Sequence, residues 1–416
     1  MAVRLGGEEQ YFVGLDVGTS KLCLLVGQLT SDQDLQIIAS AVVPAAGMRK
    51  GGVVSLESLT KALISVRDKA ERSLGYEITS ALVNLSGAQV SSLNSKGMAG
   101  VTGRTIGRED ISRALDAARS IVIPYNREVV HAIPRGYIVD DQDGIRNAIG
   151  MHGYRLEVEA HIVTASSTSL QNLEQCIERS GLYVDGWVLS SLAAAEMVLT
   201  ETEREMGVVI CDIGAGTTDL AIYIEGSVWH TAVIPIGGQH LTNDIAQVLH
   251  LPEDTSEMIK RRHGHARADA CNENQAFAVR PFGDGKPFQI KRKELASILE
   301  PRVEEIFGFV RQEIKRSGYD GLLPAGMVLT GGTSELPGMK DVAARVLRLP
   351  VRLGKPEYVR GLADAISAPH FATSLGLLHW AELMQTEGAS LNGSGGNIFS
   401  FDMDRMAEFF RRLLPG

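Results

Sequence analysis

Residues 208–224 read VVICDIGAGTTDLAIYI, and residues 12–26 read FVGLDVGTSKLCLLV. Both are apolar runs typical of a buried strand, and each is interrupted by an acid, glycines and small hydroxyl residues. The acid, Asp16 or Asp212, ends the first strand, and the glycines permit the positive φ of a tight turn. Backbone N–H groups at such a turn form a nest for phosphate, and the acid could hold hydrated Mg²⁺ opposite it. We therefore predict two β-hairpins that clamp one nucleotide from both sides.

A third segment, residues 327–338 (MVLTGGTSELPG), repeats the pattern of a buried strand followed by glycines. Gly331 and Gly332 let the backbone lie flat against a nucleotide, and the helix start that follows favours a nearby phosphate. One glycine-rich turn alone is more typical of an ordinary hairpin. The three segments in this order resemble the phosphate-one, phosphate-two and adenosine motifs of the actin-like ATPases, which include actin, the heat-shock ATPase chaperones, sugar kinases and bacterial cell-shape filaments.

This resemblance implies ATP and Mg²⁺ as ligands and assigns residues to them. Glu257 and Lys260 stand three apart on one helix face, a spacing usually found in solvated surface ion pairs. In actin-like ATPases the matching pair contacts the ribose and base of adenosine. The predicted nucleotide-binding residues are Asp16, Gly18, Thr19, Ser20, Lys21, Asp212, Gly214, Gly216, Thr217, Thr218, Asp219, Gly237, Gly238, Asp244, Glu257, Lys260, Gly331, Gly332 and Thr333, and Asp16 and Asp212 are predicted to hold Mg²⁺ through water.

Composition restricts the class of partner. The chain has 416 residues, 44% of them hydrophobic and 22% charged, which is ample for two packed domains. A formal charge of −9 argues against a nucleic-acid partner, because phosphate-backbone affinity needs dense Lys and Arg. The four cysteines show no C-x-x-C spacing and fit a reducing cytoplasm. No apolar run reaches about 18 residues, so we predict neither secretion nor a spanning helix.

The alternation of strands and helices predicts two α/β cores with insertions. Between Ser86 and Glu159 the predicted secondary structure changes to long strands around one helix, and we interpret this region as an inserted subdomain. The predicted division is a first core over 1–85 and 162–202, the inserted subdomain over 86–161, a second core over 203–243 and 323–365, a nucleotide and partner subdomain over 244–322, a closing helix over 366–385, a linker over 386–398 and a terminal amphipathic helix over 399–416.

The sequence of the inserted subdomain narrows the resemblance from the actin-like ATPases as a whole to one family among them. Residues 86–101 (SGAQVSSLNSKGMAGV), 108–140 (REDISRALDAARSIVIPYNREVVHAIPRGYIVD) and 149–165 (IGMHGYRLEVEAHIVTA) resemble, phrase by phrase, the relocated subdomain of the FtsA family of bacterial cell-division proteins. The family resemblance implies an actin-like two-domain α/β fold with duplicated ribonuclease-H-like cores, the relocated subdomain and a C-terminal amphipathic helix. It also implies an ATP-binding protein that polymerises at the cytoplasmic face of the cell membrane at the division site, tethers FtsZ there and recruits later division proteins.

Other members of the superfamily remain as alternatives. A sugar or acid kinase needs a base beside its substrate hydroxyl, and no such carboxylate stands out. A chaperone needs a substrate-binding region after the ATPase core. A pilus-assembly ATP-binding scaffold shares the relocated subdomain, but the C-terminal tail described below argues against this alternative. Fast actin-like ATPases place Glu or Gln before a small-residue helix, where this chain has Ser190 and Ser191. We therefore predict at most a weak ATPase.

The helix over 294–317 carries the predicted partner site. Most of its apolar residues are expected to pack inward. The family resemblance places the C-terminal peptide of FtsZ, which is short, apolar and partly acidic, against this helix. Basic side chains would steer such a peptide. The predicted peptide-binding residues are Arg302, Glu305, Lys291 and Lys293.

The tail combines a flexible linker with an amphipathic segment. Residues 386–397 (TEGASLNGSGGN) have the composition of a random-coil linker. At helical spacing the apolar residues beyond it fall on one side and the charged residues on the other. Such a stripe usually docks on its own core, but a docking helix needs no flexible linker. We therefore predict an interfacial membrane anchor formed by Phe399, Met403, Met406, Phe409, Phe410, Leu413 and Leu414.

Overall fold

The structure of the chain is a computed structural model that describes residues 3–4, 10–30, 35–120, 123–282, 286–356, 360–361 and 366–389. The predicted membrane helix over 399–416, with all seven anchor residues, and the linker beyond residue 389 lie outside the described residues. The strands within these ranges are β1 (Val3–Arg4), β2 (Gln10–Val17), β3 (Lys21–Leu29), β4 (Leu35–Pro44), β5 (Met48–Arg49), β6 (Gly52–Val53), β7 (Ser80–Leu85), β8 (Val90–Gly100), β9 (Arg127–Val139), β10 (Gln142–Ile145), β11 (Arg155–Ser166), β12 (Tyr183–Leu189), β13 (Val208–Ile213), β14 (Thr218–Ile224), β15 (Ser227–Ile234), β16 (Ala276–Val279), β17 (Phe288–Lys291), β18 (Gly326–Thr330), β19 (Val351–Leu353) and β20 (Arg360–Gly361).

The helices lie between these strands. They are α1 (Leu56–Leu74), α2 (Arg108–Arg119), α3 (Ser167–Arg179), α4 (Ser190–Val198), α5 (Glu201–Met206), α6 (Gly238–Leu249), α7 (Glu253–His263), α8 (Arg292–Ser317), α9 (Met339–Leu347) and α10 (Ala372–Ala389). Short 3₁₀ turns cover Gly332–Glu335 and Pro369–Phe371. Among the described residues, no helix is long and apolar enough to cross a bilayer.

Two sheets share one strand order, which is the basis of the two-core architecture. In the first, β2 pairs antiparallel with β3 and β3 with β4, while β2 pairs parallel with β7 and β7 with β12. In the second, β13, β14 and β15 form the same antiparallel meander, and β18 and β19 continue the sheet in parallel. The two predicted phosphate hairpins, β2–β3 and β13–β14, therefore occupy equivalent places in two similar cores.

Helices α4 and α10 pack between the two sheets. Helix α4 is rich in alanine, and residues 193–195 are fully buried. A Cβ on Gly376 of α10 would lie 1.8 Å from the carbonyl oxygen of Ala193, closer than any side chain allows. A Cβ on Gly14 of β2 would similarly lie 2.9 Å from Cβ of Leu377. Small residues at this crossing bring the two helices and the first sheet into direct backbone contact.

The inserted subdomain is a four-stranded antiparallel sheet, in the order β10-β9-β11-β8, covered on one face by α2. The buried residues of α2 include Ile111, Ala114, Leu115 and Ala118, the spacing of a one-sided amphipathic helix. At Gly97 of β8 a Cβ would come within 2.0 Å of the Ala114 carbonyl oxygen, so α2 lies almost on the strand backbone.

The inserted subdomain also contacts the second core, and we call this contact the subdomain interface. It comprises Ser92, Asn94, Arg135 and His161 on one side and Trp229, His230, Thr231, Glu313 and Tyr319 on the other. The imidazole of His161 hydrogen-bonds to Asn94 Oδ1 at 2.7 Å and Thr231 Oγ1 at 2.9 Å. The Arg135 guanidinium stacks 4.2 Å from the centre of the Trp229 ring. The inserted subdomain therefore adds a second contact between the two halves of the chain, besides the contact of the two cores at the predicted nucleotide cleft.

The partner subdomain is organised by α8. Its buried stripe includes Leu295, Leu299, Val303, Ile306 and Val310, and the helix ends at Gly318 in the left-handed conformation. The polar stretch over 266–288 contains β16, which pairs antiparallel with β17. This short hairpin has too few alternating residues to stand out in the sequence.

Candidate functional site

The first predicted phosphate hairpin closes tightly. The Gly18 N–H donates to the Lys21 carbonyl at 3.0 Å, and the Val17 N–H donates to Asn84 Oδ1 at 2.6 Å. Lys21 lies 3.9 Å from Asp16 Oδ2 and donates to the His370 carbonyl at 2.5 Å. Asn84 on β7 therefore holds the hairpin at the end of β2, and the segment that precedes α10 holds the ammonium group of Lys21.

The second hairpin is fixed to the start of α6. The Gly214 N–H donates to the Thr217 carbonyl at 2.9 Å, which closes the turn. The N–H groups of Gly238 and Gln239 donate to the carbonyls of Gly214 and Ala215 at 2.9 and 2.8 Å. The first turn of α6 thus holds the hairpin with two of its free N–H groups.

The tips of the two hairpins meet across one cleft. A Cβ on Gly216 would lie 2.4 Å from Thr19 Oγ1 and 3.1 Å from Cα of Lys50. The Ser86 hydroxyl from the first core lies 2.9 Å from the Thr217 hydroxyl and donates to Asp219 Oδ2 at 2.9 Å. Residues from the two cores that the sequence predicted to face one nucleotide are therefore brought together.

The third motif lies directly behind the second hairpin. Strand β18 pairs with β13 and ends directly before Gly331, which has φ +85 and whose added Cβ would lie 2.2 Å from Asp212 Oδ1. Thr333 Oγ1 donates to the Gly214 carbonyl at 2.8 Å. A Cβ on Gly238 would meet the same hydroxyl at 2.3 Å. Glycines are thus required where the three segments touch, because side chains would separate them.

Acidic side chains concentrate in this cleft. Asp16, Asp212 and Asp219 are all buried. Burial raises the pKa of Asp212 to about 6, and the nearby negative charge of Asp16 adds to this. Burial, followed by the charge of Asp212, raises the pKa of Asp219 to about 7. Asp219 Oδ1 has no hydrogen-bond partner among the described residues. Buried, mutually repelling carboxylates of this kind suit a divalent cation, whose preferred ligands are oxygens.

The structure also limits how a cation could be held. Among the described residues, no cluster of three or more His, Cys, Asp or Glu side chains could hold a metal ion directly. A cation near Asp16 and Asp212 would therefore complete its coordination with water and with phosphate oxygens, which is the usual preference of Mg²⁺.

Glu257 and Lys260 form an ion pair beside the cleft, in which the lysine is largely buried whereas the Glu257 side chain is 41% exposed. Their charged atoms are 2.6 Å apart, and the Lys260 side chain is only 12% exposed. Lys260 also donates to the Gly238 carbonyl at 2.9 Å, and the Thr242 hydroxyl donates to Glu257 at 2.5 Å. Burial lowers the pKa of Lys260. Burial acts to raise the pKa of Glu257, but the Lys260 charge and the hydrogen bonds from Lys260 and Thr242 together outweigh it and lower that pKa. Both residues are thus held at the first turn of α6, next to the second hairpin.

The predicted peptide-binding residues do not form one open patch. Arg302 donates to both oxygens of Asp244, at 2.7 and 2.9 Å, and also pairs with Glu305. These hydrogen bonds raise the pKa of Arg302. Lys293 pairs with Glu273 and lies about 14 Å along α8 from Arg302. A residue predicted to bind nucleotide, Asp244, and one predicted to bind a peptide, Arg302, are therefore one ion pair.

The sequence did not indicate four polar residues that organise the cleft. Asn84 lies on β7 and Ser86 directly follows this strand, and Thr373 and Ser374 lie in the first turn of α10. Thr373 Oγ1 donates to Asp212 Oδ2 at 2.8 Å, and Ser374 Oγ donates to Asp16 Oδ2 at 2.6 Å. The last two are adjacent hydroxyl residues within the predicted closing helix over 366–385, and no local pattern shows which acids they meet.

The two serines at the predicted water-positioning place are not available to a ligand. Ser190 is buried, donates to the Leu85 carbonyl at 3.2 Å and accepts from Asn84 Nδ2 at 3.1 Å. Ser191 is fully buried, and its hydroxyl has no hydrogen-bond partner among the described residues.

Comparisons with known families and proteins agree with this geometry. A family model described as "Cell division protein FtsA" matches residues 209–376, and one described as "SHS2 domain inserted in FTSA" matches residues 87–164. The chain is 43% identical to the cell division protein FtsA of Pseudomonas aeruginosa over 388 residues, covering 93% of each protein. It is 36% identical to that of Escherichia coli K12 over 388 residues, covering 92% of each.

Solved structures with a similar fold are more distant in sequence. A chain of the PilM-PilN type IV pilus biogenesis complex superposes with a TM-score of 0.65 at 17% identity, covering 89% of this chain and 98% of that one. MreB5 of Spiroplasma citri bound to ADP superposes with a TM-score of 0.56 at 15% identity, covering 92% and 99%. These likenesses concern the fold alone, and they agree with the predicted actin-like architecture.

Proposed function

This chain belongs to the FtsA family of cell-division proteins and has an actin-like fold, and on that premise we propose that it binds ATP with Mg²⁺ between its two cores. We further propose that it polymerises at the cytoplasmic face of the cell membrane at the division site, tethers FtsZ filaments there and recruits later division proteins. The relatives that cover more than nine-tenths of the chain are cell-division proteins, which favours this role over a pilus scaffold or a kinase.

One observation carries the nucleotide proposal. Strand ends from both cores converge on a single cleft: Gly216 of the second hairpin lies against Thr19 of the first, and the consecutive residues Thr373 and Ser374 hydrogen-bond to Asp212 and Asp16. Turns rich in backbone N–H groups suit phosphate, and the buried carboxylates suit the accompanying cation.

The nucleotide proposal is tested by replacing the acid of the second hairpin. We expect Asp212→Ala to lose at least about 100-fold in affinity for Mg-ATP in isothermal calorimetry, since an interaction with a divalent cation in a buried site is strong. The matched control is Asp254→Ala, which removes an exposed acid of the same core and should bind like the parent. Equal affinity of Asp212→Ala and the parent, or no binding by the parent, would refute the proposal.

We propose that ATP is hydrolysed weakly at most. The place where fast relatives carry Glu or Gln holds Ser190 and Ser191, and both hydroxyls are enclosed by protein. Loss of general-base assistance reduces a rate by about 10² to 10⁴-fold. A phosphate-release assay at saturating Mg-ATP should therefore give a turnover far below that of dedicated ATPases, and a comparable turnover would contradict the proposal.

The FtsZ tether is assigned to the surface around Arg302. Because Arg302 is already held by Asp244, one variant alone cannot distinguish peptide binding from support of the fold. We expect Arg302→Glu to weaken binding of the FtsZ C-terminal peptide in fluorescence anisotropy. Asp244→Asn keeps the arginine and relaxes its pairing, so it should bind the peptide at least as well as the parent. If both variants lose binding equally, Arg302 acts only through the fold, and the assignment is wrong.

Membrane attachment is assigned to residues 399–416. We expect their deletion, or Phe410→Glu, to abolish co-sedimentation with anionic liposomes while leaving ATP binding intact. Phe410→Leu keeps an apolar side chain and serves as the control. Polymerisation is tested with the same preparations, by electron microscopy of the chain with Mg-ATP on a lipid monolayer. Filaments are the expected result, and isolated particles would oppose the polymer proposal.

A further inference from the structure

Two consecutive residues at the start of α10 connect acids from different cores. Thr373 Oγ1 donates to Asp212 Oδ2 at 2.8 Å, and Ser374 Oγ donates to Asp16 Oδ2 at 2.6 Å. Asp16 and Ser374 are 358 positions apart in the chain, and Asp212 and Thr373 are 161 apart. All four side chains are buried, so both hydrogen bonds are shielded from water. One helix turn therefore fixes the orientation of both carboxylates that the sequence predicted to hold a cation.

The surrounding contacts make this turn a rigid support. The carbonyl of His370 accepts from Lys21, and the carbonyl of Pro369 accepts from Thr330 Oγ1 at 3.3 Å. Two residues further along, Gly376 packs directly on the Ala193 backbone. The segment from Pro369 to Gly376 is thus held by both hairpin cores and by α4, so the two hydroxyls are fixed in space relative to the acids.

The direction of the two hydrogen bonds gives them a specific use. Each hydroxyl donates to Oδ2 of its carboxylate, which fixes the plane of the carboxylate and the direction of its remaining lone pairs. Donors of this kind favour the charged carboxylate and prevent its rotation, as supports of metal ligands commonly do. We infer that Thr373 and Ser374 are the positioning residues of the cation site, and that they orient Asp212 and Asp16 for the Mg²⁺ that accompanies the nucleotide. This inference rests on the proposed function.

A purely structural role would give a different result from a positioning role. If the hydroxyls only satisfied buried carboxylates, their loss would lower stability and weaken nucleotide binding to the same extent with and without Mg²⁺. If they position the acids for the cation, their loss should act on the part of the affinity that Mg²⁺ provides. The ratio of ATP affinity in Mg²⁺ to that in EDTA therefore separates the two roles.

The experiment uses the full chain and its Thr373→Val and Ser374→Ala variants. Binding of a fluorescent ATP analogue is measured in EDTA and over a titration with MgCl₂, and folding is checked by thermal unfolding. We expect the affinity in EDTA to stay within about twofold of the parent. The Mg²⁺ concentration that gives half of the tightening should rise about 10-fold in each variant, the lower end of the effect of losing a support of a metal ligand.

Two controls separate the outcomes. Thr373→Ser keeps the hydroxyl and should retain the Mg²⁺ dependence of the parent. Ser180→Ala removes an equally buried hydroxyl that donates to a backbone carbonyl far from these acids, and it should also behave like the parent. An unchanged Mg²⁺ titration in Thr373→Val and Ser374→Ala would overturn the inference, as would an equal loss in EDTA and Mg²⁺. A parent that binds no ATP would overturn the proposed function and this inference together, whereas a parent that binds ATP normally isolates the inference.

Discussion

The first core with its inserted subdomain contacts the second half of the chain in two places that differ in their electrostatics. In the cleft, Asp16, Asp212 and Asp219 are buried close together, and the pKa values of the latter two are raised. At the subdomain interface the imidazoles have hydrogen-bond partners: His161 lies between Asn94 and Thr231, and His230 contacts Glu313 at 3.0 Å. Burial lowers the pKa of His161 well below its ordinary value, so this imidazole is neutral.

The difference separates a ligand-dependent contact from a self-sufficient one. Carboxylates buried beside one another are unfavourable until a cation or a proton compensates them. A buried neutral imidazole with both nitrogens hydrogen-bonded needs no further partner. We therefore expect the cleft to change with nucleotide and Mg²⁺, while the subdomain interface holds the cores together in either condition.

The largest expected effect comes from a substitution beside the cleft that forces α10 away from α4. Gly376→Ala would place a Cβ 1.8 Å from the Ala193 carbonyl oxygen, and the helices must move apart. We expect a loss of about 3 kcal/mol in the free energy of unfolding, at the upper end for an overpacked site.

The control for Gly376 is Gly308→Ala in α8, where a Cβ would meet nothing within 4 Å. It should stabilise the protein slightly, because alanine has the higher helix propensity. Urea unfolding followed by circular dichroism measures both variants. Similar stability of Gly376→Ala and the parent would show that the crossing is not tight.

Neutralising Asp219 tests whether the buried carboxylates of the cleft destabilise the folded protein when no cation is bound. The pKa of Asp219 rises from 3.8 to about 7, so its ionisation at pH 8 opposes folding. Asp219→Asn should therefore raise the free energy of unfolding at pH 8, without nucleotide or Mg²⁺, by about 2 kcal/mol, half of the limit that this pKa change sets.

The sign of this effect depends on pH. The folded protein binds the Asp219 proton more tightly than the unfolded chain between about pH 4 and 7, so the advantage of asparagine should fade as the pH falls through 7. Asp254→Asn, an exposed change, should have little effect at either pH. A gain that is equal at pH 8 and pH 5.5 would contradict this account.

At the subdomain interface the pH dependence has the opposite sign. The unfolded chain protonates His161 below about pH 6.5, whereas the folded chain keeps it neutral because of burial and the nearby His230, Arg135 and His131. Stability contributed by His161 is therefore lost as the pH falls below 6.5, by about 1.4 kcal/mol per pH unit.

His161→Gln removes this titration, so the stability difference between parent and variant should shift in favour of the variant by about 2 kcal/mol from pH 6.5 to 5. Differences must be compared, because Asp212 and Asp219 titrate in the opposite direction in both proteins. His152→Gln changes an exposed histidine of the same subdomain and should show no such shift. A flat difference for His161→Gln would mean that His161 is protonated in the folded protein.

The smallest expected effect comes from removing the guanidinium of Arg135, which stacks on Trp229 at the subdomain interface. Arg135→Met keeps an apolar stem over Trp229 but removes the guanidinium 4.2 Å from its ring. We expect a loss of about 1 kcal/mol, the usual strength of such a contact. Affinity for Mg-ATP should stay unchanged, because the interface is independent of the cleft. A marked fall in that affinity, measured by calorimetry, would show that the two contacts are coupled.

The sequence allowed the hairpins and the glycine-rich strand to be predicted because each is a local pattern of strand, acid and turn. Residues such as Gly216 and Gly331 lie where their motifs placed them. The supports of the cleft could not be predicted in the same way. Ser374 reaches Asp16 across 358 positions, and nothing in the apolar run of α10 indicates which acids its first turn meets. The sequence likewise does not show the pairing of Arg302 with Asp244, because the two residues are 58 positions apart and were assigned to different ligands, a peptide and a nucleotide.

Helix α10 crosses α4 at Gly376, close to its own start, so it extends much further on one side of this crossing than on the other. Ser374, which holds Asp16, lies about 3 Å along the helix from this crossing, and the far end at Ala389 lies about 20 Å away on the other side. A rigid pivot at Gly376 would therefore amplify movement about sixfold, so that a shift of about 0.5 Å at the carboxylates becomes about 3 Å at Ala389. The chain leaves α10 at this amplified end and continues towards residues 399–416.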